Sequence, residues 1–182
     1  MPNPHISSKS LTLTLILSLG LASCDFSNDP NCIDYFSSNN NDFSSFLDPE
    51  GGLITTLSSN IYWSRCPAGQ AFSSPDACTG EAIYLNFQEA NSYAQDLSDK
   101  SGRSVRLPTR QDFDQITEDR CINPAVNTNI FPSMITENFW TSSSSAMRSN
   151  LACTYYSYKG SISCLEPKDI EHPFLIVIDK QE

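Results

Sequence analysis

Apolar and polar positions divide the 182-residue chain into three textures. Residues 11–23, LTLTLILSLGLAS, are apolar or small and carry no charge. Residues 24–45 are rich in Ser, Asn and Asp, with Phe and Tyr scattered among them. From about residue 46 the apolar positions take up the periods of regular structure. Phe87, Ala90, Ala94 and Leu97 recur every three or four residues, which predicts a helix with one apolar face. Asn86 and Glu89 stand before it at capping-box spacing, and Gly102 lies just beyond its end. A second helix is predicted after Leu107-Pro108, with Thr109 as N-cap, Asp112 in the first turn and Phe113 and Ile116 facing inward. FLDPEGGLITTLSSNIYWSRC reads as strand, turn and strand, and NFWTSS, CTYYSY, SISCLE and FLIVID as further strands. FLIVID is apolar at consecutive positions, as a strand buried on both faces should be. Two helices followed by several non-parallel strands give an α+β class.

The apolar run at the front is too short to span a bilayer, which needs roughly 20 residues. With Lys9 ahead of it, no acid, and small residues at its end, residues 1–23 read as a secretory signal peptide; a buried core helix fits poorly with its Thr, Ser and Gly20. Leu21-Ala22-Ser23-Cys24 resembles the lipobox of bacterial lipoproteins, in which the chain is cut before the cysteine and its thiol takes a diacylglycerol. A thiolate has the nucleophilicity that this alkylation needs. The cysteine count agrees. The chain has seven cysteines, and setting Cys24 aside as a thioether leaves six, an even set suited to an oxidising compartment. The expectation is a bacterial cell-envelope protein, extracytoplasmic and held to the membrane by its N-terminal lipid. Which membrane is open, although Asp25 resembles an inner-membrane retention signal used by some bacteria. Residues 24–45 then form a tether, mostly irregular, with Cys32, Tyr35, Phe36, Phe43 and Phe46 as points where it can be pinned to the domain at 46–182.

Net charge is −10, from 21 acids and 11 bases. Such a surface repels phosphate backbones, so nucleic acid is excluded as a partner. CPAGQAFSSPDAC is a Pro, Gly and Ser loop that a Cys66–Cys78 bridge closes locally, contributing roughly 2–3 kcal/mol.

The ordered series DPEGGLITTLSSNIYWSRCPAGQAF, ACTGEA, FQEANSYAQDL, RLPTRQDFDQI, NPAVNTNIFP and FWTSSS resembles the Lcl-type C-terminal domain, a bacterial family long catalogued as a domain of unknown function. The similarity runs from about residue 46 to the end of the chain. RLPT alone is less specific, since it also occurs in formylglycine-generating-enzyme-like domains. The family implies a C-type-lectin-like fold, two helices with a twisted, mainly antiparallel sheet that brings the termini near each other. Some members bind sulfated polysaccharide as adhesins. Members often carry a cysteine in the last strand, and FLIVID has none. Cys153 and Cys164 flank the TYYSYKGSIS hairpin and pair with each other on that ground, leaving Cys32 for Cys121. Six cysteines permit 15 connectivities, and the sequence does not choose among them.

No constellation for catalysis appears. His172 precedes Pro173 with no nucleophile-elbow sequence anywhere in the chain, and no C-x-x-C occurs. Asp112, Asp114, Glu118 and Asp119 crowd one predicted helix beside Arg110 and Arg120, which makes them a solvated face. Neither an EF-hand loop nor a lectin calcium motif is present, so no metal and no cofactor is expected. The candidate ligand groups are Arg103, Arg106 and Arg110, with Lys100 nearby. Grouped in space they would hold a sulfate or carboxylate through forked hydrogen bonds. The competing reading has Arg106 and Arg110 paired with neighbouring acids. Trp140, Tyr155, Tyr156 and Tyr158 alternate on strands, so one side fills the core and Tyr156 and Tyr158 offer rings for stacking. The expected function is a non-enzymatic binding or adhesion module for a glycan or protein. The alternative is a structural accessory subunit of an envelope assembly.

Overall fold

The computed structural model describes residues 29–38, 46–73 and 77–181. Cys24, the signal-like segment and residues 39–45 lie outside them. The elements in order are α1 (Cys32–Ser38), β1 (Phe46–Glu50), β2 (Leu53–Thr56), β3 (Ile61–Ser64), β4 (Ala71–Ser73), β5 (Ala77–Thr79), α2 (Phe87–Ser101), β6 (Val105–Arg106), α3 (Arg110–Phe113), β7 (Asn138–Ser144), β8 (Leu151–Tyr156), β9 (Ser161–Pro167) and β10 (Val177–Asp179). They form a five-stranded sheet in the order β1-β2-β3-β10-β6, a two-stranded ribbon β4-β5, and a three-stranded sheet β7-β8-β9. Neighbouring strands are antiparallel throughout. The class is α+β, with three helices, antiparallel sheets and three disulfides among the described residues.

The FLIVID run is where the two cores meet. Leu175 and Val177 enter a cluster with Trp63, Phe113, Phe131, Phe139 and Tyr155, whereas Phe174, Ile176 and Ile178 pack against Phe87, Ala90, Leu107 and Trp140. A strand sandwiched between two apolar layers must be apolar at every position, because each alternate side chain meets a different core. Its regular ladder is shorter than the sequence suggests. Before Val177 the backbone accepts single hydrogen bonds from Trp140, Ala68 and Ser64 through Pro173, Phe174 and Ile176. β7 is divided in the same manner, with Phe139 in the first cluster and Trp140 in the second.

α2 has the boundaries that its local signals predict. Asn86 Oδ1 accepts from the backbone N–H of Gln88 and Glu89, both at 3.0 Å, and Glu89 Oε2 accepts from Asn86 N–H. Such a cap is worth about 1 kcal/mol. Gly102 closes the helix in the left-handed region at φ 65°, donating its N–H to Ser98 O. The helix lays Phe87, Ala90 and Ala94 on the second core, the two alanines at 0% and 2% exposure bringing its backbone close to the sheet.

Three regions differ from the sequence reading, one of them the Cys66–Cys78 loop, which carries the paired strands β4 and β5. The second helix begins at Thr109 with a reciprocal Thr109–Asp112 cap but ends after one turn. Glu118 N–H donates to Ala125 O, and Thr117 pairs with Val126, so the chain leaves the helix to meet the segment after Cys121. Asp114, Glu118 and Asp119 are therefore not on one helix. Within the expected tether, residues 32–38 form α1, seated on the domain. Cys32 and Phe36 are both fully buried, Cys32 is bridged to Cys121, and Asn129 Nδ2 donates to Phe36 O. The guanidinium of Arg120 lies over the Tyr35 and Phe36 rings, at 5.4 and 5.8 Å. A seven-residue helix is marginal alone, so this docking is what holds it.

Candidate functional site

Arg103 and Arg106 lie in the link between α2 and α3 and Arg110 opens α3, and sheet register decides which way Arg106 faces. Val177 opposes both Trp63 and Arg106, while Ile178 opposes both Tyr62 and Val105. Directly opposed residues share a face of a sheet. Arg106 therefore lies on the Trp63 face, and Tyr62 on the opposite face beside Ile178 and Val105.

Arg106 is consumed by acids. Its Nη1 donates to Asp112 Oδ2 at 2.7 Å, and its Nε and Nη2 reach Asp179 Oδ1 at 3.1 and 3.0 Å. Asp112 also accepts from Thr109 N–H at 2.7 Å. Burial pushes the Asp112 carboxyl up, but hydrogen bonds from Arg106 and Thr109, with the guanidinium charge, outweigh it and leave the pKa below the ordinary carboxylate value. This cluster fixes the start of α3 against the last strand. Asp179 accepts as well from Ser104 Oγ, at 2.6 Å.

Arg103 stands apart from that network. Its guanidinium carbon lies 6.0 Å from the centre of the Tyr62 ring, and Lys180 Nζ lies 5.1 Å from the same centre. Lys180 reaches this place because it follows Ile178 by two positions and shares its face. Its ammonium donates to Ser59 O at 2.6 Å. Among the described residues neither cation has a carboxylate at ion-pair distance. Both cations thus lie over one half-exposed ring, and together they can attract an anionic group.

Arg110 is carried elsewhere by the turn of α3. It is exposed and points its Nη1 at Cys164 Sγ, 3.9 Å away. There it lines an open depression of about 220 Å³ together with Ser145, Met147, Cys153, Cys164 and Leu165. Tyr156 and Tyr158 stack on each other, with ring centres 5.9 Å apart and planes at 21°. Tyr156 ends β8 opposite Asn138 and Tyr158 lies in the turn beyond it, and among the described residues no cation–ring contact joins them to Arg103, Arg106 or Arg110. The three arginines thus occupy separate places, and the stacked Tyr156–Tyr158 pair joins none of them. The aromatic partner of Arg103 is Tyr62, which sequence reasoning passed over along with Lys180. The alternation of IYW, with Ile61 and Trp63 buried, is the signal that turns Tyr62 outward.

The cysteines form three bridges, Cys32–Cys121, Cys66–Cys78 and Cys153–Cys164. His172 packs edge-on against Trp140, with ring centres 4.9 Å apart, and its Nε2 lies 3.0 Å from Glu166 Oε1. Glu118 pairs with Arg120 at 2.9 Å. Among the described residues no group of three or more His, Cys, Asp or Glu is arranged to hold a metal ion. No described helix is long and apolar enough to cross a membrane.

Residues 52–177 match the family model of the Lcl C-terminal domain. No curated protein and no solved structure matches the chain.

Proposed function

The chain belongs to the Lcl C-terminal domain family, and from that premise we propose that it is a lipid-anchored bacterial envelope protein whose domain binds a glycan bearing sulfate or carboxylate groups, without catalysing a reaction on it. We read the fold as C-type-lectin-like. That reading rests on the five-stranded and three-stranded antiparallel sheets, the long helix α2, and the seating of β10 between β3 and β6. Anchorage through Cys24 places the domain outside the cytoplasm, where its bridges are stable.

The observation that carries the binding reading is the Arg103–Tyr62–Lys180 group. In a chain of net charge −10, two cations sharing one ring, without a carboxylate at ion-pair distance among the described residues, form a local exception to the prevailing field. Sugar rings stack on aromatic faces, and sulfates or carboxylates take forked hydrogen bonds from guanidinium. The same chemistry does not select neutral glycans, and the net charge of −10 disfavours the long phosphate backbone of nucleic acid.

The test is binding of the full chain, in detergent, to immobilised sulfated, carboxylated and neutral polysaccharides over a range of salt. Anionic polysaccharides should bind, with affinity falling as salt rises, and the Arg103→Ala/Lys180→Ala pair should weaken binding at least tenfold. Equal binding by that variant, or silence on every anionic polysaccharide, overturns the reading. Intact mass of the mature chain tests the anchor: a Cys24 that is unmodified or bridged to another cysteine removes it. The alternative, a structural accessory subunit, draws on the exposure of Met147 (84%) and Leu165 (68%) at one depression.

A further inference from the structure

We propose that Cys153–Cys164 is a thiol-exchange site, entered at Cys164 and selective for anionic thiols through Arg110. The proposal is independent of glycan binding and uses a different part of the surface.

The three bridges present different sulfurs to solvent. Cys32 and Cys121 are 0% and 1% exposed, so an incoming thiol cannot reach either sulfur without opening the fold. Cys66 and Cys153 are each 1% exposed, whereas their partners Cys78 and Cys164 are half-buried. The two half-buried cysteines differ in what the described residues place against their sulfurs. Cys78 Sγ lies 3.9 Å from the backbone carbonyl oxygen of Arg65, a negative dipole end that repels a thiolate. Cys164 Sγ lies 3.9 Å from Arg110 Nη1, a full positive charge, on the wall of an open depression of about 220 Å³. Thiol–disulfide exchange proceeds by thiolate attack, so a cation beside the attacked sulfur raises the local concentration of the nucleophile and stabilises the spread charge of the transition state. Met147 and Leu165 on the rim supply apolar contact for the reagent carbon chain.

The chemistry balances with an external thiol as reductant. A reagent thiolate forms a bond to Cys164 Sγ, the bond between Cys164 and Cys153 breaks, and its electron pair leaves on Cys153 Sγ, which takes a proton from water in the depression. A second reagent thiolate attacks the reagent sulfur of the mixed disulfide and expels Cys164 as a thiolate beside Arg110. Two reagent thiols become one reagent disulfide, and the bridge gains two electrons.

The full chain, purified in detergent with any free thiol blocked beforehand, is treated with 2-mercaptoethanesulfonate or cysteamine, quenched with an alkylating agent at intervals, and mapped by mass spectrometry. Cys153 and Cys164 should be labelled first and Cys32 and Cys121 last. Arg110→Gln should slow opening by the sulfonate thiol about fivefold, the size expected of one charge at a few ångström in an exposed setting. Opening by cationic cysteamine should stay within about twofold, and Arg110→Lys should restore the sulfonate rate. Labelling of the Cys66–Cys78 pair in each variant reports whether the fold is intact. Earlier opening of Cys66–Cys78 in the native chain, or a sulfonate rate indifferent to Arg110, overturns the proposal.

Discussion

Removing the Cys32–Cys121 bridge is the perturbation whose size the structure fixes best. The bridge spans 89 residues, so the loop-entropy relation assigns it about 4.5 kcal/mol, against about 3 kcal/mol for the loops of 12 and 11 residues closed by the other two. The whole stability of a domain this size is about 5–15 kcal/mol, so the loss is a large fraction of it. What remains at the site in Cys32→Ala/Cys121→Ala includes Phe36 in its pocket under Arg120, the bond from Asn129 to Phe36 O, and the backbone bonds from residue 32 N–H to Ile122 O and from Ile122 N–H to Pro30 O. Urea unfolding followed by tryptophan fluorescence suits the question, because Trp63 and Trp140 are both fully buried. Hydrogen exchange on residues 32–38 reports α1 separately. The variant should unfold with a stability lower by about 4 kcal/mol, and α1 should exchange ahead of the global transition. A loss below about 1.5 kcal/mol, or one no larger than that of Cys153→Ala/Cys164→Ala, would refute the assignment of this bridge as the principal staple.

Asp112 makes stability depend on acid pH. Its pKa is depressed in the fold, so its contribution is complete above the unfolded value near 4 and is lost as pH falls through the folded value. The gap in urea midpoint between the native chain and Asp112→Asn should therefore narrow as pH falls below about 4; an unchanged gap at pH 3 would contradict the network. Tyr155 acts at the other end of the scale. Burial drives its phenol up to about 12, so its contribution is complete below pH 10 and is lost as pH rises toward 12. Ultraviolet titration should show a phenol titrating near 12 that is absent in Tyr155→Phe, and that variant should cost about 1 kcal/mol for the lost bond to Ala125 O. Gly69→Ala should cost about 2 kcal/mol or more by thermal unfolding, because φ is +91° and a Cβ would stand 2.6 Å from the Glu81 carbonyl oxygen. A neutral result there would mean that the Cys66–Cys78 loop relaxes freely.

What the sequence disclosed tracks the distance over which each signal acts. α2 is written in neighbouring residues, with Asn86 and Glu89 at one end, Gly102 at the other and alanines between, and its bounds emerge as read. α3 shows its start, because Thr109 and Asp112 are three residues apart, but hides its end, which depends on Thr117 meeting Val126. α1 hides altogether. Its composition is that of a polar linker, and the partners that order it, Cys121 and Asn129, lie about ninety residues on. Arg106 repeats the pattern, since Asp112 is a local partner that sequence reasoning anticipated, whereas Asp179 is 73 residues away.

A run of like charges in sequence does not make a charged patch, and the arginine segment shows why. Extended chain sends successive side chains to opposite faces, so Arg106 turns toward the Trp63 side with Asp179 while Val105 turns toward α2. The helical turn that follows then sweeps Arg110 to the β8–β9 hairpin. Of the cluster only Arg103 is left beside an aromatic ring, and its cationic companion comes from Lys180, on the far side of the sequence. β3 and β10 bring Tyr62 and Lys180 together only because both strands keep a period of two across the same ladder. A one-residue slip of β10 would exchange Lys180 for Asp179 on that face and bury the wrong alternate residues of FLIVID in both cores. The apolar demand of two cores therefore sets the register, and the register in turn decides which charges meet at the surface.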